Sequence, residues 1–324
     1  MRSWKWLAAV TALALVSGSA AAGEPDDYPN RPVRLIVAFA AGATNDVVAR
    51  LLGKEMSTVL GQPIVVENKP GASGLIAAQA VKNSPADGYT LFQGNTSILG
   101  INPSLFKSLP YDPVNDFEPI SVVAASPSVL VVSPSLNVKT VAELVAYAKA
   151  NPDKLLYGSP GSGTPMHLSA ELFKVQTGAT MTHIPYKGSS QVITDLLAGH
   201  VQVMFDNIPS ILPQIRAGKA IALVTTGAQR LPVLPDVPTV REAGFSGAES
   251  NSWFGLVAPK GTPKPIVDKL AAAIRKSVQS PEFRERLGQM GAEPVGGTPA
   301  DMAAHIKAEM AKWAPVVEAS GARL

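Results

Sequence analysis

The chain has 324 residues, of which 46% are hydrophobic and 16% charged, and it contains no cysteine. This length suggests about two domains, and the lack of cysteine excludes disulfides and thiolate chemistry. The formal net charge is only +3, from 28 basic and 25 acidic residues. So small a charge gives no electrostatic reason to expect nucleic acid or an anionic membrane as a partner.

The first segment has the pattern of an export signal. Arg2 and Lys5 form a basic start, an apolar stretch covers residues 6–16, and small residues lead up to Ala22. We therefore predict a signal peptide over residues 1–22, cleaved after Ala22. The apolar stretch is shorter than the roughly 20 residues that a membrane span needs. Without Arg2 and Lys5 the balance is 26 basic to 25 acidic residues, so most of the excess positive charge belongs to the signal.

Segments with strand character alternate with helical patterns along the rest of the chain. The predicted strands are, in order, VRLIVAF, PIVVEN, YTLFQG, ISVVAAS, KLLYGS, THIPY, VQVMFDN, AIALVTTG and WFGLVAP. Several helix boundaries are also marked. Thr140, Ser280 and Thr298 are placed as N-caps, and Gly321 marks the end of the last helix. This alternation predicts an α/β architecture with largely parallel sheets.

The segment EPISVVAASPSVLVVSP is long for one strand, and we expect it to cross from one lobe to a second. The segment SNSWFGLVAPKG would return the chain to the first lobe. We therefore predict a discontinuous lobe 1 from residues 23–124 and 250–324, and a continuous lobe 2 from residues 125–249. Two lobes joined in this way close about a hinge over a ligand in the cleft between them.

The stretch FAAGATND, residues 39–46, connects a strand to a helix. Helix N-termini present unpaired backbone N–H groups and a partial positive charge, which suit an anion. Gly42 permits a tight turn, and Thr44, Asn45 or Asp46 can cap the helix. The stretch lacks both the P-loop lysine and G-x-G-x-x-G, so a nucleotide site is not indicated. By itself the pattern leaves an anion site and a plain capped turn equally open.

A second strand–loop–helix stretch reads YGSPGSGTPMHLSAELF, residues 157–173. Its glycines allow close approach of a ligand to the backbone, and its Ser and Thr side chains supply hydroxyl groups. Retaining so much glycine before a helix costs conformational entropy, which a binding role would explain. His167, about one turn into the helix, faces either the ligand or the core.

Three further strand ends offer polar groups. GNTSI contributes Asn95, Thr96 and Ser97, IPYKGSSQV places Gly188 at a helix start, and FDNIPS leaves Asp206 at the end of a strand. Ligands of open α/β sheets lie outside the carboxyl ends of the strands. We therefore expect all five loops to meet in one cleft, although each minor loop alone could be an ordinary turn.

The sequence displays no catalytic or metal-binding pattern. The four histidines lack H-E-x-x-H spacing, and no acidic cluster has the form of a calcium loop. Neither Ser159 nor Ser162 has the glycine spacing of G-x-S-x-G. We therefore predict that the protein is not an enzyme and uses no cofactor or metal.

Several stretches together resemble the Bug-type receptors, the periplasmic solute-binding proteins of tripartite tricarboxylate transporters. The resemblance covers nearly the whole chain after the predicted signal. It rests on YPNRPVRLIVAFAAGATNDVVARLL, GQPIVVENKPGASGLIAAQAV, PADGYTLFQGNTS, YGSPGSGTPMHLSAELF, IPYKGSSQVITDLLAGHVQVMFDNIPS, LPDVPTVREAGF and WFGLVAPKGTP. It implies a two-lobed periplasmic binding fold, type II-like, with a small organic acid in the cleft. It also implies a periplasmic monomer that works with integral membrane transporter subunits.

The resemblance further implies which residues bind the acid. In the family, the first strand–helix loop and the glycine–serine loop of the other lobe hold carboxylate groups, largely through backbone N–H groups and water. The matching positions are Phe39, Ala40, Gly42 and Asp46 in the first loop, Ser159, Gly161, Gly163, Thr164 and His167 in the second, and residues 94–97 and Asp206 as further lining. Known members take dicarboxylates, citrate, acidic amino acids or aromatic acids.

The first loop departs from the family pattern PFAAGGATD. Ala38 replaces the proline, Ala43 the second glycine, Thr44 the alanine and Asn45 the threonine. A methyl group at Ala43 would disfavour a positive φ, and Asn45 adds an amide donor and acceptor. We include Ala43 and Asn45 among the candidate ligand-binding residues and expect them to affect which acid binds.

The sequence therefore predicts an exported receptor that binds an organic carboxylate and delivers it to a tripartite tricarboxylate-type membrane transporter. Two alternatives stay open. One is an exported binding protein that passes its ligand to a sensor, and the other is an exported serine hydrolase with its nucleophile in GSPGSG.

Overall fold

The computed structural model describes residues 27–152, 154–186 and 188–322. The strands are β1 Val33–Val37, β2 Ile64–Asn68, β3 Thr90–Asn95, β4 Phe117–Val132, β5 Leu156–Ser159, β6 Thr182–Pro185, β7 Val203–Asn207, β8 Ile221–Thr225, β9 Asn251–Pro259 and β10 Glu293–Pro294. All nine predicted strands are confirmed as β1 to β9. The predicted signal peptide and its cleavage site lie outside the described residues.

The helices alternate with these strands through most of the chain. They are α1 Thr44–Leu60, α2 Leu75–Lys82, α3 Asn102–Leu105, α4 Val141–Ala150, α5 Pro165–Thr177, α6 Ser189–Ala198, α7 Ile208–Arg216, α8 Lys264–Ser277, α9 Pro281–Gln289 and α10 Pro299–Ser320. A π-helical turn, Thr96–Ile101, leads into α3. Within the described residues, no helix combines the length and apolar character needed to cross a membrane.

The strands form one mixed sheet in the order β2-β1-β3-β9-β4-β7-β5-β6, and β8 and β10 also pair with β4. Strand β1 is parallel to β2 and β3, and β5 is parallel to β6 and β7. The centre is antiparallel, because β9 runs against both β3 and β4, and β4 runs against β7. The expectation of largely parallel sheets is therefore correct for the two flanks and wrong for the centre. The chain crosses the centre in β4 and β9, two long strands that pair with each other in opposite directions.

Strand β4 belongs to both halves of the sheet. Its 16 residues pair with β9 as far as Pro127, and with β7 and β8 from Ser128 or Val129 onward. The long strand therefore makes the crossing that its length suggested. The exact lobe limits at residues 124/125 and 249/250 stay a prediction.

Each half of the sheet is covered by helices on both faces. In the first half, α1, α8 and α9 bury one face, and α2 and α10 bury the other. In the second half, α4 and α5 cover one face, and α6 and α7 cover the other. A fifth cluster contains Leu105 of α3, Leu168 of α5 and Trp313 of α10. Helix α10 therefore packs against elements of both halves.

The predicted helix caps are present. The Thr140 hydroxyl accepts the N–H of Glu143 at 3.2 Å, and Ser280 accepts the N–H of Phe283. Thr298 and Asp301 form a complete capping box at the start of α10. Gly321 ends this helix with a left-handed conformation, φ 66°.

Candidate ligand-binding site

The carboxyl ends of strands from both halves meet beside the β4–β9 crossing. Asn95, the last residue of β3, pairs with Phe254 of β9, while Asn207, the last residue of β7, pairs with Ser128 of β4. The side chain of Ser252 in β9 contacts that of Asn207 at 3.3 Å. The ends of β3 and β7 therefore lie near the same short segment of β9.

The other strands that end in predicted binding loops, β1, β5 and β6, run in the same directions as β3 or β7. Strand β1 is parallel to β3, and β5 and β6 run parallel with β7, so their carboxyl ends open toward the same crossing. This edge is where ligands bind in open α/β sheets. The strand directions therefore turn the ends that carry the five predicted loops toward this crossing.

The first loop begins α1 without a side-chain cap. Ala43 is the N-cap residue, with φ −69° and ψ 158°, and Thr44 already lies inside the helix. The predicted capping of this helix by Thr44, Asn45 or Asp46 is therefore wrong. The expected conflict at Ala43 is also absent, because the positive φ of 83° belongs to Gly42. The first N–H groups of α1 donate no hydrogen bond to the N-cap side chain.

Asp46 stabilises this loop through hydrogen bonds of its carboxylate. Its carboxylate accepts hydrogen bonds from the N–H of Gly42, from Arg50 and from Asn68, each at 2.9 Å. Burial raises the pKa of Asp46, but these hydrogen bonds outweigh burial and hold the pKa below its usual value. The carboxylate oxygens are therefore used within the protein, although Asp46 was predicted as a ligand-binding residue.

Asn45 and Asn95 connect the first loop to the end of β3. The Asn95 amide donates to the Asn45 side-chain oxygen at 2.9 Å, and its own oxygen caps the π-helical turn at Ile98. The neighbouring Thr96 hydroxyl instead accepts the N–H of Trp253 at 2.8 Å and is buried. The side chains of Asn45 and Ser97 remain partly exposed. Thr96, in contrast, is bonded to β9.

Phe39 and Ala40 lead into the same loop. The carbonyl of Phe39 accepts the amide N–H of Asn68 at 2.9 Å, and the Phe39 side chain is partly buried against the cluster that α2 and α10 form with the sheet. Ala40 and Gly42 are exposed, and a β-carbon added at Gly42 would meet nothing within 4 Å. The space in front of the α1 N-terminus is therefore open.

The glycine–serine loop is held mainly by its own side chains. The Thr164 hydroxyl donates to the carbonyl of Gly161 at 2.7 Å and accepts the N–H of His167 at 3.3 Å. The N–H of Gly163 donates to Nδ1 of His167 at 3.1 Å. Several polar groups of this loop are therefore already paired. A β-carbon at Gly163 would also lie 2.6 Å from Leu105, so substitution there perturbs packing first.

His167 belongs to a buried stack that the sequence did not indicate. The ring centroids of His167 and His183 are 4.0 Å apart, and those of His183 and Tyr157 are 4.8 Å apart. Burial, followed by the charges of His183 and Lys174, lowers the pKa of His167 to about 3. Glu171 accepts the Tyr157 hydroxyl and pairs with Lys174 at 2.9 Å. Because these partners are far apart in sequence, no local pattern reveals the stack.

Ser159 makes a serine–histidine contact that bears on the hydrolase alternative. Its hydroxyl lies 2.7 Å from Nε2 of His183 and also donates to the carbonyl of Gly161 at 3.1 Å. Ser159 has no exposed surface. A nucleophile must reach a substrate carbonyl, and this buried hydroxyl is committed to its own loop. The contact is therefore structural.

The start of α6 forms the matching feature in the second half. Gly188 is its N-cap, with extended backbone at φ 164° and ψ 162°, and a β-carbon there would meet nothing within 4 Å. Ser189, the first helical residue, donates its hydroxyl to Oδ1 of Asp206 at 2.9 Å. The second half of the sheet thus also presents a helix start with open space in front of it.

Asp206 lies beneath this helix start with no exposed surface. Its Oδ1 also accepts the N–H of Asn207 at 2.9 Å, whereas Oδ2 has no hydrogen-bond partner among the described residues. Burial raises the pKa of Asp206 to about 7, and the bonds from Ser189 and Asn207 lower it only in part. Nowhere in the described ranges do three or more acidic, histidine or cysteine side chains form a group that could hold a metal ion.

A model of the tripartite tricarboxylate transporter family receptors matches residues 48–322 of this chain. The chain belongs to this family. Its members are substrate-binding receptors and not enzymes, as the sequence predicted.

Solved structures agree with this assignment. The R. palustris protein Rpa4515, solved with adipate, is 42% identical, with a TM-score of 0.80 over 91% of this chain and 99% of that one. The periplasmic binding protein BugD is 37% identical, with a TM-score of 0.77 over 91% and 99% of the two chains. MatC (Rpa3494) from Rhodopseudomonas palustris, solved with bound malate, is 36% identical, with a TM-score of 0.76 over 90% and 100%.

These comparisons confirm the predicted Bug-type resemblance and the predicted periplasmic binding protein fold. The chain is a solute-binding receptor. The individual ligand-binding residues named from the sequence stay a prediction.

Proposed function

We propose that this receptor captures a small dicarboxylate in the periplasm and delivers it to a tripartite tricarboxylate-type membrane transporter. The proposal depends on one observation above all. The helix starts at Ala43 and Gly188 come from opposite halves of the sheet, follow strands that run toward the β4–β9 crossing, and have open space beside Gly42 and Gly188. A ligand with a carboxylate at each end suits such a pair.

The electrostatics of the two helix starts fit this ligand. Each N-terminus stabilises an anion by about 0.3–1 kcal/mol, or up to ~2 kcal/mol when partly buried. Backbone N–H groups add hydrogen bonds without a fixed positive charge. The nearby guanidinium of Arg50 already pairs with Asp46 at 2.9 Å. Affinity would therefore come from several modest interactions, which also permits release.

The same arrangement couples binding to closure. A ligand that touches both halves binds more tightly when they approach each other, so it shifts the population toward the closed state. The malate and adipate bound by MatC and Rpa4515 support a dicarboxylate of this kind. The family description supports the transporter partner, and the predicted signal peptide supports the periplasm.

Calorimetry with adipate and malate tests the ligand class. At 100 times its Kd, a true ligand should stabilise the protein by about 2.7 kcal/mol, which raises Tm by several degrees at roughly 2–4 °C per kcal/mol. If no dicarboxylate changes Tm or releases heat on binding, the proposed ligand class is wrong.

The substitution Gly188→Leu tests the site. The extended backbone at Gly188 accepts any side chain, and the new one would enter the open space before α6. We expect a folded protein that binds the acid at least about tenfold more weakly, a loss of about 1.4 kcal/mol. Gly288→Leu is the matched control, because Gly288 is exposed on α9 and equally free of contacts. Equal affinity of both variants would remove α6 from the site.

An uptake assay tests the transporter link. A strain lacking this gene should fail to take up the labelled acid, and the wild-type gene should restore uptake while the Gly188→Leu gene should not. Normal uptake without the receptor would contradict the delivery role and leave the binding role intact.

A further inference from the structure

The buried acid beneath α6 is the most unusual polar group near the cleft. Asp206 has no exposed surface, and its Oδ2 has no partner in the described chain. Buried polar atoms are nearly always hydrogen-bonded, because an unsatisfied one is costly. An ionised carboxylate in this position would be more costly still. The geometry therefore favours the protonated acid at this position.

Within the part of the chain that the structure describes, the neighbouring elements bring no compensating charge to Asp206. Helix α6 contributes the Ser189 hydroxyl, β4 places Val129 opposite it, and α7 begins with the apolar Ile208. Burial is the main influence on the pKa of Asp206, and no charged side chain among the described residues shifts this pKa. Helix α6 carries Asp195, but that carboxylate bonds Tyr186 at 2.6 Å and lies near His200 at 3.4 Å.

We propose that Asp206 couples ligand binding to proton uptake, so that the receptor captures a dicarboxylate best when this side chain is a neutral acid. The inference rests on the proposed function, because it assumes a ligand carboxylate at the start of α6. Ser189 is the first residue of α6, and its hydroxyl donates to Asp206. Only the Ser189 side chain therefore separates the Asp206 carboxyl group from the N–H groups at the start of α6. Two anions at this one helix start would repel each other.

Protonation removes this repulsion. It also places a hydrogen on the carboxyl group, which can then donate from Oδ2. By linkage, a ligand that favours the protonated form raises the proton affinity of Asp206, and the proton raises the affinity for the ligand. The change in ligand affinity falls near neutral pH, since burial raises the pKa of Asp206 to about 7.

The expected pH dependence has a definite sign. Affinity should be highest below about pH 7 and fall as the pH rises, by about tenfold for each unit by which the ligand raises the pKa of Asp206. Free carboxylic acids have pKa values near 4, so malate and adipate have lost nearly all their protons by about pH 6.5. Changes above that pH therefore belong to the protein.

Titration calorimetry with adipate and malate between pH 6.5 and 8.5 tests the inference. Buffers with different ionisation enthalpies report the protons taken up on binding. The wild type should lose about tenfold in affinity over this range and take up about half a proton near pH 7.5. Asp206→Asn should bind with little pH dependence and no proton uptake.

Two further variants test whether the pH dependence comes from Asp206. Ser189→Ala removes a hydrogen bond that favours the ionised acid, so its loss of affinity should begin at higher pH. It also decides the question if Asp206→Asn does not fold. His200→Gln removes an exposed imidazole beyond the end of α6 and should behave like the wild type.

The outcomes separate the two proposals. Binding whose affinity and proton uptake do not change with pH overturns the coupling but leaves the receptor function standing. A pH dependence that persists in Asp206→Asn, or disappears in His200→Gln, also overturns it. If the wild type binds neither acid at any pH, both proposals fail.

Discussion

Replacing Asp206 by asparagine should change the pH dependence of folding as well as that of binding. An unfolded aspartate has a pKa of about 3.9, whereas burial raises the pKa of Asp206 to about 7 in the folded protein. Between these values the folded state keeps a proton that the unfolded state has released. The free energy of unfolding therefore decreases as the pH rises through this window and levels off above about pH 7.

The magnitude follows from the size of the window. About three pH units at 1.36 kcal/mol each give a loss of about 4 kcal/mol. Asparagine cannot ionise, so Asp206→Asn should avoid this loss. Relative to the wild type, the variant should gain about 4 kcal/mol of stability between pH 4 and pH 8.

Urea unfolding without ligand, followed by circular dichroism at pH 4, 6 and 8, measures this difference. Groups that titrate equally in both proteins cancel when the two are compared. Asp236→Asn, an exposed aspartate in the second half, is the matched control and should show no change of this size. If wild type and Asp206→Asn differ by the same amount at all three pH values, the argument for a buried neutral acid is wrong.

Two other predictions concern packing and the first loop. Glu309→Leu should lower the free energy of unfolding by about 2–6 kcal/mol in urea titrations, because the indole N–H groups of Trp253 and Trp313 lose their acceptor. Glu318→Leu, exposed on the same helix, should stay within about 0.5 kcal/mol of the wild type, and equal losses would contradict the role of the indoles. Asp46→Ala should weaken acid binding by about tenfold, on the order of 1.4 kcal/mol, since the loop loses its internal support. Calorimetry that shows unchanged affinity would mean that the loop keeps its shape without this carboxylate.

The elements themselves could be predicted because their signals are local. Alternating and periodic apolar residues identified nine strands, and Thr140, Ser280 and Thr298 are N-caps in the structure. Capping residues act within one turn of the helix that they begin, so their neighbours in sequence are sufficient to recognise them.

The first loop shows where local signals fail. Three residues with capping side chains, Thr44, Asn45 and Asp46, suggested a cap, yet none of them occupies that position. Asp46 instead bonds Asn68 at the end of β2, and Asn45 bonds Asn95 at the end of β3. These partners become available only when three parallel strands align, and they outweigh the local preference.

The sequence by itself determined the order of strands and helices, the loops that could bind an anion, and the family. Only the tertiary structure decided that the centre of the sheet is antiparallel, that Ser159 contacts His183, and that Asp206 is buried with one oxygen unpaired among the described residues. The reason is physical. Local patterns depend on neighbours within a turn or two, whereas burial, and with it the charge state of Asp206, depends on residues that only folding brings together.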